Sequence, residues 1–222
     1  MPNYDQMDKN NVAASGQLKN SSSVRFYGKV GKRIMLVGNS ITLHGKKPDI
    51  GWHGEWGMAA SCEQNDYVHR IMSAASGNSF CVCQVAEWER QYNNNVSLDK
   101  YQDARDFDAD IIVMRFIENC PKKDFDPVVF KKELGKFLGY LNKSGNADII
   151  ITTGFWHHPG DDAIRQYAAE NGLPCIELGD LGERDDMKAI GLFEHNGVAN
   201  HPGDLGMQNI ASRILEVLKN YI

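Results

Sequence analysis

Apolar positions along the chain fall into short, nearly solid runs separated by stretches with helical spacing. Runs at 33–37, 79–85, 110–116, 148–153 and 174–178 read as strands covered on both faces, and 24–30 as a shorter leading strand. Between them Tyr67, Val68, Ile71, Met72 and Ala75 share one face of a helix expected from Ser61 to about residue 76, opened by the capping-box pattern Ser61-Cys62-Glu63-Gln64. Asp126-Pro127 opens a helix with the stripe Val129, Phe130, Leu134, Phe137, Leu138 and Leu141, closed near Gly145. A short helix is expected at 162–171, stopped by Gly172. The last is expected at 204–220, with Leu205, Ile210, Ile214, Val217 and Leu218 inward. Strands alternating with helices predict an α/β chain: a three-layer α/β/α sandwich around a flavodoxin-like five-stranded parallel sheet. Residues 24–222 form one domain in this reading, and the polar stretch 1–23 a flexible arm.

Composition narrows the function classes. The 222 residues carry a formal net charge of -5, which gives no basic footprint for nucleic acid. No apolar run approaches the ~20 residues that span a bilayer. The amino-terminal stretch lacks the apolar core of a signal peptide, so a cytoplasmic location is expected, although a trimmed leader would leave the same sequence. The five cysteines, Cys62, Cys81, Cys83, Cys120 and Cys175, suit reduced thiols, and Cys81 and Cys83 should point the same way from one strand.

The candidate chemistry gathers where strands end. Gly38-Asn39-Ser40 follows the first strong strand, Glu118-Asn119 a middle one, and His201-Pro202 precedes the last helix. In an open parallel sheet these places share the carboxyl edge, where such sheets bind ligands. A serine hydroxyl needs a base to become a nucleophile, a histidine titrates near neutral pH, and an asparagine amide can meet negative charge on a tetrahedral intermediate. Each residue also has an ordinary use, as a turn serine, a surface histidine or an asparagine bonding its own backbone. Arg115 and Glu118 flank Asn119, as an ion pair or as substrate contacts.

All four tryptophans, Trp52, Trp56, Trp88 and Trp156, and six of the seven histidines, His44, His53, His157, His158, His195 and His201, follow expected strands on that same side. Aromatic and polar groups together describe a pocket wall, and sugar rings stack on aromatic faces, so an acylated carbohydrate is the expected substrate class. Three readings lose. The stretch 38–47 has the wrong glycine spacing for a phosphate-binding loop, with Lys47 in the hydroxyl position. His157, His158, Asp161 and Asp162 lack a helix-spaced histidine pair, so a solvated loop and helix cap is favoured over a metal site. Cys120 beside Asn119 shows no sequence sign of a lowered thiol pKa.

The stretch 33–42, with Gly38-Asn39-Ser40, resembles the first block of the SGNH (GDSL-type) hydrolases, with Asn39 where that family usually has Asp. Glu118-Asn119 resembles the third block, and 201–207 the histidine block. The resemblance implies esterase, lipase or carbohydrate-deacetylase chemistry without metal or organic cofactor. Ser40 would be nucleophile and first oxyanion donor, Asn119 a further donor and His201 the base. Two departures stand out. Val198 occupies the place of the aspartate that usually orients the histidine, leaving a backbone carbonyl, such as that of Val198, or Glu194 to do so. No glycine follows the second strand, leaving Ala86 or Glu87 to supply a backbone N–H. The expected function is removal of a small acyl group, acetyl first among them, from a carbohydrate or similar polar alcohol. Its rivals are a non-catalytic carbohydrate-binding module on the same fold and acyl transfer to an acceptor other than water. Asn39, Ala86, Arg115, Glu118 and the four tryptophans complete the expected oxyanion and substrate-binding set. A small-molecule or carbohydrate ester is the expected partner, with neither nucleic acid nor membrane.

Overall fold

In the computed structural model, which describes residues 23–222, six strands form one sheet. They are β1 (Val24–Tyr27), β2 (Arg33–Gly38), β3 (Ser79–Gln84), β4 (Ile111–Arg115), β5 (Asp148–Thr152) and β6 (Cys175–Ile176). The amino-terminal arm expected over 1–23 lies outside the described residues, apart from Ser23. The order β1-β3-β2-β4-β5-β6 contains the expected flavodoxin-like arrangement in its five parallel strands. The sheet is nevertheless mixed and six-stranded, because β1 adds to the outer edge of β3 antiparallel. The β1–β2 link passes tightly beneath the start of β3. A Cβ on Gly31, at φ +69°, would sit 2.0 Å from the Gly77 carbonyl, so glycine is required there.

The helices are α1 (Tyr67–Ala74), α2 (Ala86–Gln91), α3 (Gln102–Asp106), α4 (Pro127–Leu141), α5 (Asp161–Glu170), α6 (Gly179–Gly182), α7 (Asn196–Ala199) and α8 (Asp204–Leu218). Side chains alternate across the strands, which divides the core in two. Ile34, Leu36, Val82 and Val113 pack against α1 and α8, while Met35, Val37, Cys81, Cys83 and Met114 pack against α2, α3, α4 and α5. This gives the three layers. Cys81 and Cys83 are both buried on one face, as their spacing requires.

Several boundaries differ from the sequence reading for local reasons. The first helix starts at Tyr67, not Ser61, because Asp66 is its cap and accepts the His69 N–H at 2.7 Å. Ser61 instead binds Asp204, hydroxyl to carboxylate at 2.6 Å, tying this loop to the start of α8. Asp126 and Pro127 open α4 as expected, but that helix ends at Leu141 and Gly145 lies in the following turn. Leu205 is 44% exposed rather than inward, because it lies on the side of α8 opposite buried Met207 and Ile210. Helices α2, α3, α6 and α7 are too short to show a periodicity and were invisible in the pattern. Among the described residues no helix is long and apolar enough to cross a membrane.

Candidate active site

The site sits on the carboxyl ends of β2, β4 and β5. Gly38 pairs with Arg115, so the segments leaving β2 and β4 start side by side. After Gly38 the chain turns at once: the Asn39 carbonyl accepts the N–H groups of Thr42 and Leu43, both at 2.9 Å, and its side-chain oxygen accepts that of Ile41 at 3.2 Å. The turn packs so closely that a Cβ on Gly38 would meet Thr42 Oγ1 at 1.9 Å. Ser40 follows, half-buried, with Oγ 2.9 Å from His201 Nε2.

His201 lies between α7 and α8. Its Nδ1 is 2.6 Å from the Gly197 carbonyl. A carbonyl only accepts, so Nδ1 carries the proton and Nε2 presents its lone pair to Ser40. Burial pushes the His201 pKa down to about 4, against the upward pull of the Gly197 hydrogen bond. The ring is therefore neutral near pH 7. Trp156 closes one side, edge-on at 5.2 Å between centroids. His44, buried nearby, is likewise pushed down to about 4, first by burial.

The orienting carbonyl is that of Gly197 rather than Val198. The Val198 carbonyl takes the backbone N–H of His201 at 2.9 Å, and its side chain packs among Ile50, Trp52, Met58, Ala59 and Ala189. Glu194 is exposed and plays no part in the bonds that hold the His201 ring.

Behind the serine turn lies a buried polar network. The Asn39 amide donates to Glu89 at 3.0 Å and to Glu118 at 2.5 Å. Glu118 pairs with fully buried Arg115 and accepts the Phe155 N–H at 2.8 Å, linking β4 to the loop after β5. Burial raises the cost of both charges. Arg115 nevertheless holds Glu118 below the ordinary carboxylate range, and Glu118 holds Arg115 above its ordinary value. Glu89, on α2, is fully buried and accepts from Ile117 N–H at 2.7 Å, Asn119 N–H at 3.3 Å and the Asn119 amide at 2.8 Å. Burial, and then Glu118, push its pKa up, while every bond made to it comes from an N–H donor. The Asn119 side-chain oxygen accepts from Arg90 at 3.0 Å. Ala86 N–H, one of two expected backbone donors, bonds to the Gln84 side chain at 3.2 Å.

The tryptophans separate into different roles. Trp88 is a core residue, stacked on Phe137 at 4.8 Å and edge-on to Phe116, and the cleft it lines, of about 190 Å³ with Tyr92, Val96 and Phe137, includes neither Ser40 nor His201. Trp52 is buried against Trp56 and Phe193. Beside them a cleft of about 390 Å³ is lined by Pro48, Asp49, Ile50, Phe193, Glu194 and His195, among others. Trp156 touches His201 and Trp56 is half-buried. Of the histidines, His53 and His157 are exposed, and His158 is buried with Nε2 on the Cys120 carbonyl at 3.0 Å. Asp161 accepts N–H bonds from Gly154 and His158, the work of a loop cap. Among the described residues no three His, Cys, Asp or Glu side chains gather as a metal ion would need. Burial holds the Cys120 thiol well above its ordinary pKa, so it is not a ready thiolate.

Sequence reasoning missed Glu89 and Gly197 as members of this neighbourhood, whereas His44 was among the histidines expected on this side. Nothing in the stretch Glu87-Trp88-Glu89-Arg90 marks one carboxylate as inward, and it is the packing of α2 beside the end of β4 that turns Glu89 into the core.

No protein-family model matches the sequence, and no curated protein matches it. Solved structures do. The chain is similar to a member of the lipolytic protein G-D-S-L family from Veillonella parvula DSM 2008, with 15% identity and a TM-score of 0.54 over 85% of this chain and 99% of that one. It is similar to a family two carbohydrate esterase from Clostridium thermocellum, with 14% identity and a TM-score of 0.57 over 88% of this chain and 66% of that one. A two-domain esterase active on acetylated mannans matches at 14% identity and a TM-score of 0.51, over 86% of this chain and 49% of that one. The fold is that of the G-D-S-L, or SGNH, proteins.

Proposed function

We propose that this chain is a serine ester hydrolase that removes a small acyl group from a carbohydrate or similar polar alcohol. The observation that carries the reading is the Ser40–His201 contact at 2.9 Å with the Nδ1 proton fixed on Gly197. His201 Nε2 takes the proton of Ser40 as Oγ attacks the ester carbonyl. The imidazolium then gives that proton to the leaving alcohol, and the acyl group stays on Ser40. Water, deprotonated by Nε2, releases the acid and restores the serine. A carbonyl in place of a carboxylate orients the ring but stabilises the imidazolium less, so a dyad of modest rate is expected.

Negative charge on the tetrahedral intermediate would be met by the Ser40 backbone N–H and the Asn119 amide. That amide carries two N–H groups, and Glu89 occupies one. Each such donor is typically worth roughly 3 kcal/mol in the transition state. A sugar leaving group is supported by Trp156, whose ring stands beside His201. The carbohydrate esterases of the same fold point the same way.

The test is mass analysis after treatment with a fluorophosphonate, together with aryl-acetate turnover. A single adduct on Ser40, absent in Ser40→Ala and lost in His201→Ala, is the expected result. Well-folded protein that takes no adduct and turns over no ester, yet binds sugar, would replace this reading with the binding module.

A further inference from the structure

We propose that Glu89, with its chain neighbour Arg90, is a positioning pair that locks the Asn119 amide in the one orientation able to present an N–H to the reacting carbonyl. This rests on the esterase reading above. Glu89 accepts N–H groups from Ile117 at 2.7 Å, Asn119 at 3.3 Å and 2.8 Å, and Asn39 at 3.0 Å. A protonated carboxyl would need an acceptor among them, and these four partners are all donors, so the site is built for the anion. The amide of Asn119 is then gripped at both ends. Its nitrogen faces the Glu89 carboxylate and its oxygen faces the Arg90 guanidinium at 3.0 Å. Flipping the amide would set oxygen against carboxylate and NH2 against guanidinium, two repulsive contacts in place of two attractive ones.

The backbone supplies an independent sign. Ile117 has φ +126°, an unfavourable conformation for a β-branched residue. Strain of this kind persists only where surrounding contacts over-determine it, and the Ile117 N–H is anchored on Glu89 at 2.7 Å. Glu89 thus fixes the turn that carries Asn119 as well as its amide. His201 and Ser40 bond to each other and not to Glu89, so the carboxylate has no place in the proton transfer. Its place is behind the donor.

A double-mutant cycle on the full chain tests this. Aryl-acetate kinetics would be measured for wild type, Glu89→Gln, Asn119→Ala, the double variant, Arg90→Ala, and Arg90→Ala with Asn119→Ala. Asn119→Ala should lower kcat about 100-fold, as loss of one oxyanion donor does. Glu89→Gln should lower kcat by at least ~10-fold with KM nearly unchanged, the sign of an interaction made only in the transition state. In the Asn119→Ala background neither Glu89→Gln nor Arg90→Ala should lower kcat further. Losses that multiply in the doubles would show a merely structural role and overturn the proposal.

Arg90, half-buried, keeps the cycle open if Glu89→Gln does not fold. NMR of the Asn119 side-chain amide gives a readout that needs no turnover: slow exchange in wild type and fast exchange in Arg90→Ala are expected. An amide as labile as an exposed asparagine in wild type would overturn the inference. A protected amide with no ester turnover would instead sink the esterase reading alone.

Discussion

Replacing Asn39 by Asp introduces the residue that the similar block of the SGNH proteins usually carries, and should damage this protein. The Asn39 amide gives one N–H to Glu89 at 3.0 Å and one to Glu118 at 2.5 Å, holding two buried carboxylates apart. Arg115 pairs with Glu118 and lies 3.4 Å from the Asn39 side-chain oxygen, so its one charge must serve all three groups, while the Arg90 bond goes to Asn119. Aspartate removes both donors and adds a third negative charge at hydrogen-bond distance from the other two. Hydrogen bonds to charged groups contribute about 1.5–3 kcal/mol each, so their loss alone costs roughly 3–6 kcal/mol before repulsion is counted. Typical domains have only about 5–15 kcal/mol of stability in all. Part of the loss returns if the three carboxylates hold a shared proton, which raises their folded-state pKa above the unfolded value near ~4. That contribution is complete below the unfolded value and disappears as pH rises through the folded one. Urea unfolding of wild type and Asn39→Asp at pH 5 and pH 8 should therefore show a larger deficit at pH 8. A variant within about 1 kcal/mol of wild type at pH 8 would refute the reading of Asn39 as the spacer between Glu89 and Glu118.

Other consequences are equally direct. If His201 is the base, kcat/KM should stay level as pH falls through 6.5 and drop only near about 4; an acid limb at 6.5 would contradict the buried, neutral ring. His201 and His44 are both held neutral in the fold at pH values where the unfolded chain protonates them. Each should cost roughly 1.4 kcal/mol of stability per pH unit between about 6.5 and about 4, with His69 acting in the opposite sense because Asp66 raises its pKa against burial; urea unfolding of His44→Phe should show a shallower loss than wild type. Val198→Asp should not rebuild a triad, since Val198 packs in an apolar cluster and Nδ1 is already bound by Gly197; melting should show a loss of at least ~3 kcal/mol with no gain in kcat. Trp88→Ala should cost roughly 3–5 kcal/mol by emptying the core beside Phe137, yet leave KM unchanged in the surviving fold, whereas Trp156→Ala should raise KM with little change in melting temperature.

The parallel sheet and its layers were legible because nearly solid apolar runs such as 110–116 are too short for helices and rich in β-branched residues, and so read as strands covered on both sides. Helix starts were legible where chemistry is local, as at Asp126-Pro127, and misplaced where it is not. Ser61-Cys62-Glu63-Gln64 looked like a capping box, but its serine is held by Asp204, which belongs to another helix.

The same division runs through the site. The order of Ser40, Asn119 and His201 along the chain, each after a strand or before the last helix, determined that they would share an edge, because parallel strands put their carboxyl ends together. That Gly197 orients the imidazole, that Trp88 belongs to the core and that Glu89 stands behind Asn119 was decided only by tertiary structure. Each depends on how a short helix is turned. Helices of four to six residues such as α7 and α2 have no hydrophobic period to announce their buried face. A carbonyl leaves no mark in the sequence, and a carboxylate looks the same whether it faces water or four N–H donors.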